Sequence, residues 1–211
     1  MGAVITEISP SGRREGRYDV MVDGKRAAVL SADGVQRLNL HTGDAWTEVL
    51  AARAAAEAQS LRVLDRALVM LAVRSRSARD LRLGLLRKRE PEALVNAAVS
   101  RLLEVGALND EAFARQFVRS RISRSGFSGR RLQSELARRG VARAIADASI
   151  AEVIVDEAID PAEILEHLVA RKLRTMTKLD SPTRRRRLYA FLARRGYDAN
   201  EIRLAMGKLS K

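Results

Sequence analysis

RDLRLGLLRK at 79–88, RRLQSELARR at 130–139 and RRLYAFLARR at 186–195 share one pattern: an arginine, two leucines four apart, then a basic pair. Leu81/Leu85, Leu132/Leu136 and Leu188/Leu192 each make one stripe, because residues four apart lie on the same face of an α-helix. Before each copy stands another helical pattern: ALVMLAVRSR at 67–76, AFARQFVRSR at 112–121 and EILEHLVARK at 163–172. These align through Leu68/Phe113/Ile164, Ala72/Phe117/Leu168 and Val73/Val118/Val169. A third helical pattern follows each copy, at 91–106, 142–158 and 199–209. One such unit is too small to bury its own faces. The repetition therefore predicts a mainly α protein: three tandem three-helix units stacked in an elongated, curved array.

Working outward, residues 1–46 read differently. VITEI at 4–8 alternates as a half-buried strand does, and RYDVMV and KRAAVL flank Asp23-Gly24, a two-residue hairpin signal. Asp33-Gly34 and Thr42-Gly43-Asp44 read as further turns. This short β-rich extension is followed by a connecting helix at 47–64 and by units at 65–106, 107–159 and 160–211. Residues 47–74, free of Gly and Pro, form one long helix or two joined near Gln59-Ser60. Ser77-x-x-Asp80 resembles a capping box; Asn109-Asp110, Ser128 and Asp198 are N-cap candidates, and Asp160-Pro161 and Ser181-Pro182 put proline at a first helical position. LARRG, at 136–140 and 192–196, reads as a helix end. Its glycine supplies the left-handed turn and its arginines face the negative end of the dipole. The first copy lacks that glycine and is expected to stop at Pro91 instead.

Charge is the strongest global signal. The 211 residues carry a formal net charge of +13, and 46% of them are hydrophobic, enough to build a core. No apolar run approaches the roughly 18 residues of a membrane span, and no secretory signal opens the chain. With no cysteine, disulfides and thiolate metal sites are excluded, and the cytoplasm is the expected compartment. A surplus of bases this large attracts polyanions, nucleic acid above all. Between 113 and 143 the local acid is Glu135; between 171 and 195 it is Asp180. A solvated face would mix signs. The candidate contacts are therefore Arg119, Arg121, Arg124, Arg130, Arg131, Arg138 and Arg139 in the second unit. In the third they are Lys172, Lys178, Arg184, Arg185, Arg186, Arg187, Arg194 and Arg195. Acids gather elsewhere, at Asp147, Glu152, Asp156, Glu157, Asp160, Glu163 and Glu166, without the alternation of a calcium loop. They read as helix-dipole complements and salt links.

Catalytic signals are absent. His41 and His167 stand in unrelated contexts, and Ser125-Gly126-Phe127-Ser128-Gly129 lacks the Lys-Ser/Thr ending of a phosphate loop. That segment reads as a flexible linker. The chain is expected to be a binding protein with neither cofactor nor metal, and a monomer, since no dimerisation heptad is visible. A general DNA-binding or architectural protein fits these features; a helix-turn-helix transcription factor fits less well.

The stretch GALNDEAFARQFVRSRISRSGFSGRRLQSELARRGV at 106–141 resembles the core of the RecX family, regulators of the RecA recombinase. The likeness is carried by Leu108, Asn109, Asp110, Phe113, Ala114, Arg119, Arg121, Gly126, Arg130, Arg131, Leu132, Glu135, Leu136 and Gly140. It runs from about Asp65 to the end of the chain and departs at Asn109, where Asp is commoner, and at Arg89-Glu90, where a Gly is expected. The resemblance implies binding in the helical groove of RecA filaments on single-stranded DNA. It also implies restraint of filament growth, ATP hydrolysis and strand exchange, DNA binding to varying degrees, and no enzymatic activity.

Overall fold

The computed structural model describes residues 2–12 and 15–207. Strands β1 (Ile5–Pro10), β2 (Arg17–Val22) and β3 (Lys25–Ser31) form an antiparallel meander in that order. Asp23 and Gly24 both have positive φ, 48° and 74°, the geometry of a tight hairpin turn whose twist matches its strands. Asp33-Gly34, expected as a turn, instead lies in helix α1 (Ala32–Arg37). Ser31 Oγ accepts the Gly34 N–H at 3.0 Å, and that cap commits the backbone to helix.

Helix α2 (Glu48–Val73) is a single helix, which resolves the alternatives at Gln59-Ser60 and carries helix across residues 64 and 65. It changes its buried face midway. Ala54 and Ala58 pack with the sheet residues Ile5, Val20 and Leu30, whereas Val63, Ala67 and Met70 are buried on the side about 180° away, where the helix meets α4 (Glu92–Glu104). The alignment through Leu68, Ala72 and Val73 fails for this reason. Leu68 and Ala72 share the phase of Ala54 and Val73 lies between the two buried faces; here all three are exposed, Val73 to 76%.

The first compact unit comprises residues up to Arg74 with Leu81–Glu104; the second comprises Ser75–Asp80 and the chain from Val105. Helix α3 (Ala78–Arg87) contributes to both. The second unit continues with α5 (Asp110–Ser125), α6 (Gly129–Arg138), α7 (Arg143–Asp156), α8 (Pro161–Arg174), α9 (Ser181–Ala193) and α10 (Ala199–Gly207). Together with the sheet, these make a mainly α protein of tandem three-helix units behind a β-rich N-terminal extension. Each leucine pair lies at the centre of its unit: Leu81, Leu85, Leu132, Leu136, Leu188 and Leu192 are all at most 2% exposed.

Caps set the helix boundaries. Asn109, Ser128 and Asp160 accept the N–H of Ala112, Arg131 and Ala162. Asp198 accepts from Asn200 and Glu201 while its own N–H donates to Glu201 Oε2 at 2.6 Å, a reciprocal capping box. Helix α9 is capped by Asp180, so Pro182 is the second helical residue rather than the first. All three leucine helices end in one way. The N–H groups of Glu90, Val141 and Tyr197 donate back to Leu85, Leu136 and Leu192, and the residue before each donor has positive φ. That is the Schellman stop. In the first copy Arg89 takes the left-handed position at φ 62°, so its helix stops as the others do and not through Pro91.

Candidate nucleic-acid interface

LARRG does more than end a helix. Arg139 O accepts a 2.6 Å hydrogen bond from Ser77 Oγ, the hydroxyl that also caps Asp80 N–H. Arg195 O accepts the Ser128 N–H at 3.1 Å. Ser77 and Ser128 precede equivalent leucine helices. In both places the carbonyl of the second arginine meets the serine that caps the leucine helix of the preceding repeat. The glycine lets the strands of chain touch: a Cβ on Gly196 would stand 2.5 Å from Ser128 Oγ and 2.6 Å from Arg131 Cβ, and one on Gly140 would stand 2.5 Å from Arg79 Cδ. The second LARRG is thus the joint between the second and third repeats, both within the second unit, and the first makes a similar contact with the serine that caps α3.

The receiving segment, Ser125–Gly129, is a packed corner rather than a flexible linker. Gly126 is buried in the left-handed region against Leu168, and its carbonyl accepts the Tyr197 hydroxyl at 3.2 Å. Arg195 Nε donates to Ser125 O at 2.7 Å, so this arginine neutralises the end of α5 and not that of its own helix. Burial, then Glu201, pushes the Tyr197 phenol up to about 12. Burial and then repulsion from Arg171 lower the Arg195 pKa from its ordinary value.

The fold divides the candidate cations into two sets. In the first, each cation is held by neighbours. Arg119 pairs with Glu157 at 2.8 Å and Asp156 at 3.7 Å, and Arg115 with Glu152 at 3.3 Å, so α7 supplies acids to α5. Asp147, Glu152, Asp156 and Glu157 therefore make the salt links expected of the acidic cluster, and Asp160 caps α8; the partners of Arg115 and Arg119 are distant from them in sequence. Glu135, 15% exposed, gathers Arg131 at 2.6 Å, Arg139 at 2.9 Å and Arg138 at 3.6 Å. Burial alone would raise its pKa. The Arg139 hydrogen bond and the three positive charges outweigh burial and hold the carboxyl below its usual value.

Aromatic rings complete the set. Arg139, Phe117, Arg121, Phe127 and Arg131 alternate as guanidinium and phenyl, at 4.7, 5.2, 5.9 and 5.5 Å. Through Glu135 this ladder closes into a ring joining α5 to α6. Contacts of this kind are worth about 0.5–1 kcal/mol each at exposed sites. Phe191 is covered similarly, by Arg195 at 3.8 Å and Lys172 at 5.2 Å.

The second set faces solvent. Arg124, Arg130, Lys178, Arg185, Arg186, Arg187 and Arg194 are exposed and Arg184 half-buried; among the described residues none of them makes an ion pair. Arg130 lies close enough to Asp198, and Arg186 to Asp180, to help hold those carboxyls low. Hydrogen bonds from the helix starts are the main cause, from Glu201 for Asp198 and from Thr183 for Asp180. Lys172, Lys178, Arg187 and Arg194 meet around one cavity of about 500 Å³. Arg184 and Arg185 meet around another of about 420 Å³, together with Arg203 of α10, which no charge run in the sequence marks.

Two family models match the second unit. Residues 109–150 correspond to "RecX, second three-helix domain" and residues 159–206 to "RecX, third three-helix domain". Regulatory protein RecX of Bacillus velezensis is 25% identical over 122 residues, which is 58% of this chain; the match spans about half of that relative, 46% of its length. A crystal structure of regulatory protein RecX superposes with a TM-score of 0.80 at 21% identity, covering 97% of this chain and 99% of that one. RecX from Lactobacillus salivarius superposes at 0.59 with 16% identity, over 72% and 97%. These two likenesses establish the shared fold. Among the described residues no helix is long and apolar enough to cross a membrane.

Proposed function

We propose, for a chain that belongs to the RecX family of regulatory proteins, that it binds RecA filaments on single-stranded DNA and restrains them. The observation that carries this reading is the double match of residues 109–150 and 159–206 to RecX domains in succession. In this reading the chain acts as a cytoplasmic monomer and lies along the filament groove. It limits ATP hydrolysis, filament extension and strand exchange by binding, without catalysis. The exposed cations of the second and third repeats meet DNA phosphates and RecA carboxylates.

The test is RecA's DNA-dependent ATPase on single-stranded DNA, with the chain added from sub-stoichiometric to equimolar amounts. A falling rate is the expected outcome. Unchanged hydrolysis and unchanged strand exchange refute the reading. The exposed, unpaired arginines of α9 favour one second reading, a general DNA-binding protein acting without RecA. It requires steeply salt-dependent binding to bare DNA, and no co-sedimentation with filaments beyond that affinity.

A further inference from the structure

We propose that the third repeat carries a phosphate cradle for a nucleic-acid backbone, built by Lys172, Lys178, Arg187 and Arg194. The proposal deepens the basic-surface reading above, and rests on it only for nucleic acid being the chain's surroundings. The four cations come from three segments: the end of α8, the turn after it, and α9. They line one solvent-open cavity of about 500 Å³, together with the apolar Met176, Leu179 and Ala190. No aspartate or glutamate belongs to the lining.

That absence separates this cluster from the crowded arginines of the second repeat; the cavity of Arg184, Arg185 and Arg203 shares it but gathers three cations rather than four. Where arginines crowd in the second repeat, Glu135 or the carboxylates of α7 face them. Here four positive charges converge and repel one another in the free protein, and a bound anion relieves that repulsion. Arg187 and Arg194 are seven residues apart, so they lie on one face of α9 about 10 Å apart along its axis. Lys172 is held in place by the Phe191 ring at 5.2 Å.

A phosphodiester strand suits this lining better than a protein surface does. It brings one full negative charge per nucleotide at regular intervals, with acceptor oxygens to meet ammonium and guanidinium donors. Isolated carboxylates would have to be placed one by one.

The experiment is fluorescence anisotropy of a labelled oligothymidylate with the full chain over a salt series. It compares the parent, the Lys178→Ala/Arg187→Ala double variant, and an Arg53→Ala/Arg74→Ala control of equal charge change in the first unit. Each lost phosphate contact removes about 0.7 from the slope of log affinity against log salt. At 0.1 M salt that is about fivefold per contact relative to 1 M, so the double variant binds about 25-fold more weakly. The Lys178→Arg/Arg187→Lys variant, which keeps both charges, retains binding.

Unchanged affinity of the double variant overturns the proposal, and so does an equal loss in the control. Inorganic phosphate that competes as well as the strand at matched ionic strength reduces the site to a simple anion hole, and overturns it as well. Loss of RecA inhibition with oligonucleotide binding intact assigns the cluster to protein carboxylates, again against the cradle. If the parent leaves RecA untouched while the double variant still loses the strand, the filament reading fails and the cradle stands.

Discussion

Gly196→Ala is the sharpest test of the joint between repeats. At φ 91° an alanine carries a backbone penalty of about 1–2 kcal/mol. Its Cβ would also stand 2.5 Å from Ser128 Oγ, 2.6 Å from Arg131 Cβ and 3.0 Å from the Arg131 backbone nitrogen. The last of these is main chain in the capped first turn of α6 and cannot swing aside. Overpacking of that kind adds about 1–3 kcal/mol, for a total of about 2–5 kcal/mol. Gly106→Ala is the internal control. It has φ 71° and nothing within 4 Å of the added Cβ, so it carries only the backbone penalty. Urea unfolding followed by far-UV circular dichroism gives both values, provided the m-value stays constant. Hydrogen exchange locates the damage, because the Ser128 amide donates to Arg195 O across the joint. Its protection falls in Gly196→Ala and survives in Gly106→Ala. Equal destabilisation of the two variants, with Ser128 still protected, would show that the joint is not the close contact described.

Other substitutions probe the remaining features. Arg89→Gly relieves a left-handed arginine at φ 62° and raises stability by about 1 kcal/mol in the same urea experiment. Tyr197→Phe removes the hydroxyl bonded to Gly126 O and costs about 1 kcal/mol, with faster exchange at the corner it braces. Glu135 has a depressed folded pKa, so the stability it lends is present above its unfolded value of 4.5 and drains away as pH falls through the lower, folded one. Thermal melts of Glu135→Gln accordingly show a shallower loss than the parent as pH is taken from neutral to well below 4.5. Reversal of Arg184, Arg185, Arg186 and Arg187 to Glu weakens co-sedimentation with RecA filaments at unchanged helical content.

The repeat was legible because its signal is local. Two leucines four apart, a basic pair and a cap recur in each unit, and each requires only that neighbouring turns of a helix be in phase. What failed was the phase of the first copy, where α2 serves two cores on opposite faces; no window of sequence shows which core governs which half. Ser125–Gly129 misled for a related reason. Glycine and serine mark a mobile linker and a crowded corner equally well, and only Leu168, Tyr197 and Arg195, some 40 to 70 residues downstream, decide between them. The left-handed Arg89 was hidden because a Schellman stop tolerates a side chain at a cost that sequence does not display. The candidate site was legible as charge but not as geometry. The acids that neutralise Arg115 and Arg119 lie more than 35 residues away on α7.

That division has a simple origin in the helix itself. Adjacent residues on a helix differ by about 100° in direction, so an arginine pair at a helix end cannot send both side chains the same way. In both LARRG copies the second arginine turns inward: Arg139 to Phe117 and Glu135, Arg195 to Phe191 and Ser125 O. The first turns outward, and Arg138 and Arg194 are both exposed. At the second copy a polyanion therefore meets Arg194, while Arg195 is already engaged in holding the repeats together; at the first copy the outward Arg138 also lies 3.6 Å from Glu135. This sets the order of effects for single substitutions. Arg194→Ala weakens strand binding and leaves unfolding unchanged. Arg195→Ala destabilises the protein, because it strips Phe191 and leaves Ser125 O without its donor. If Arg195→Ala proves as stable as Arg194→Ala, the inward arginine is not structural and the two members of the pair are interchangeable.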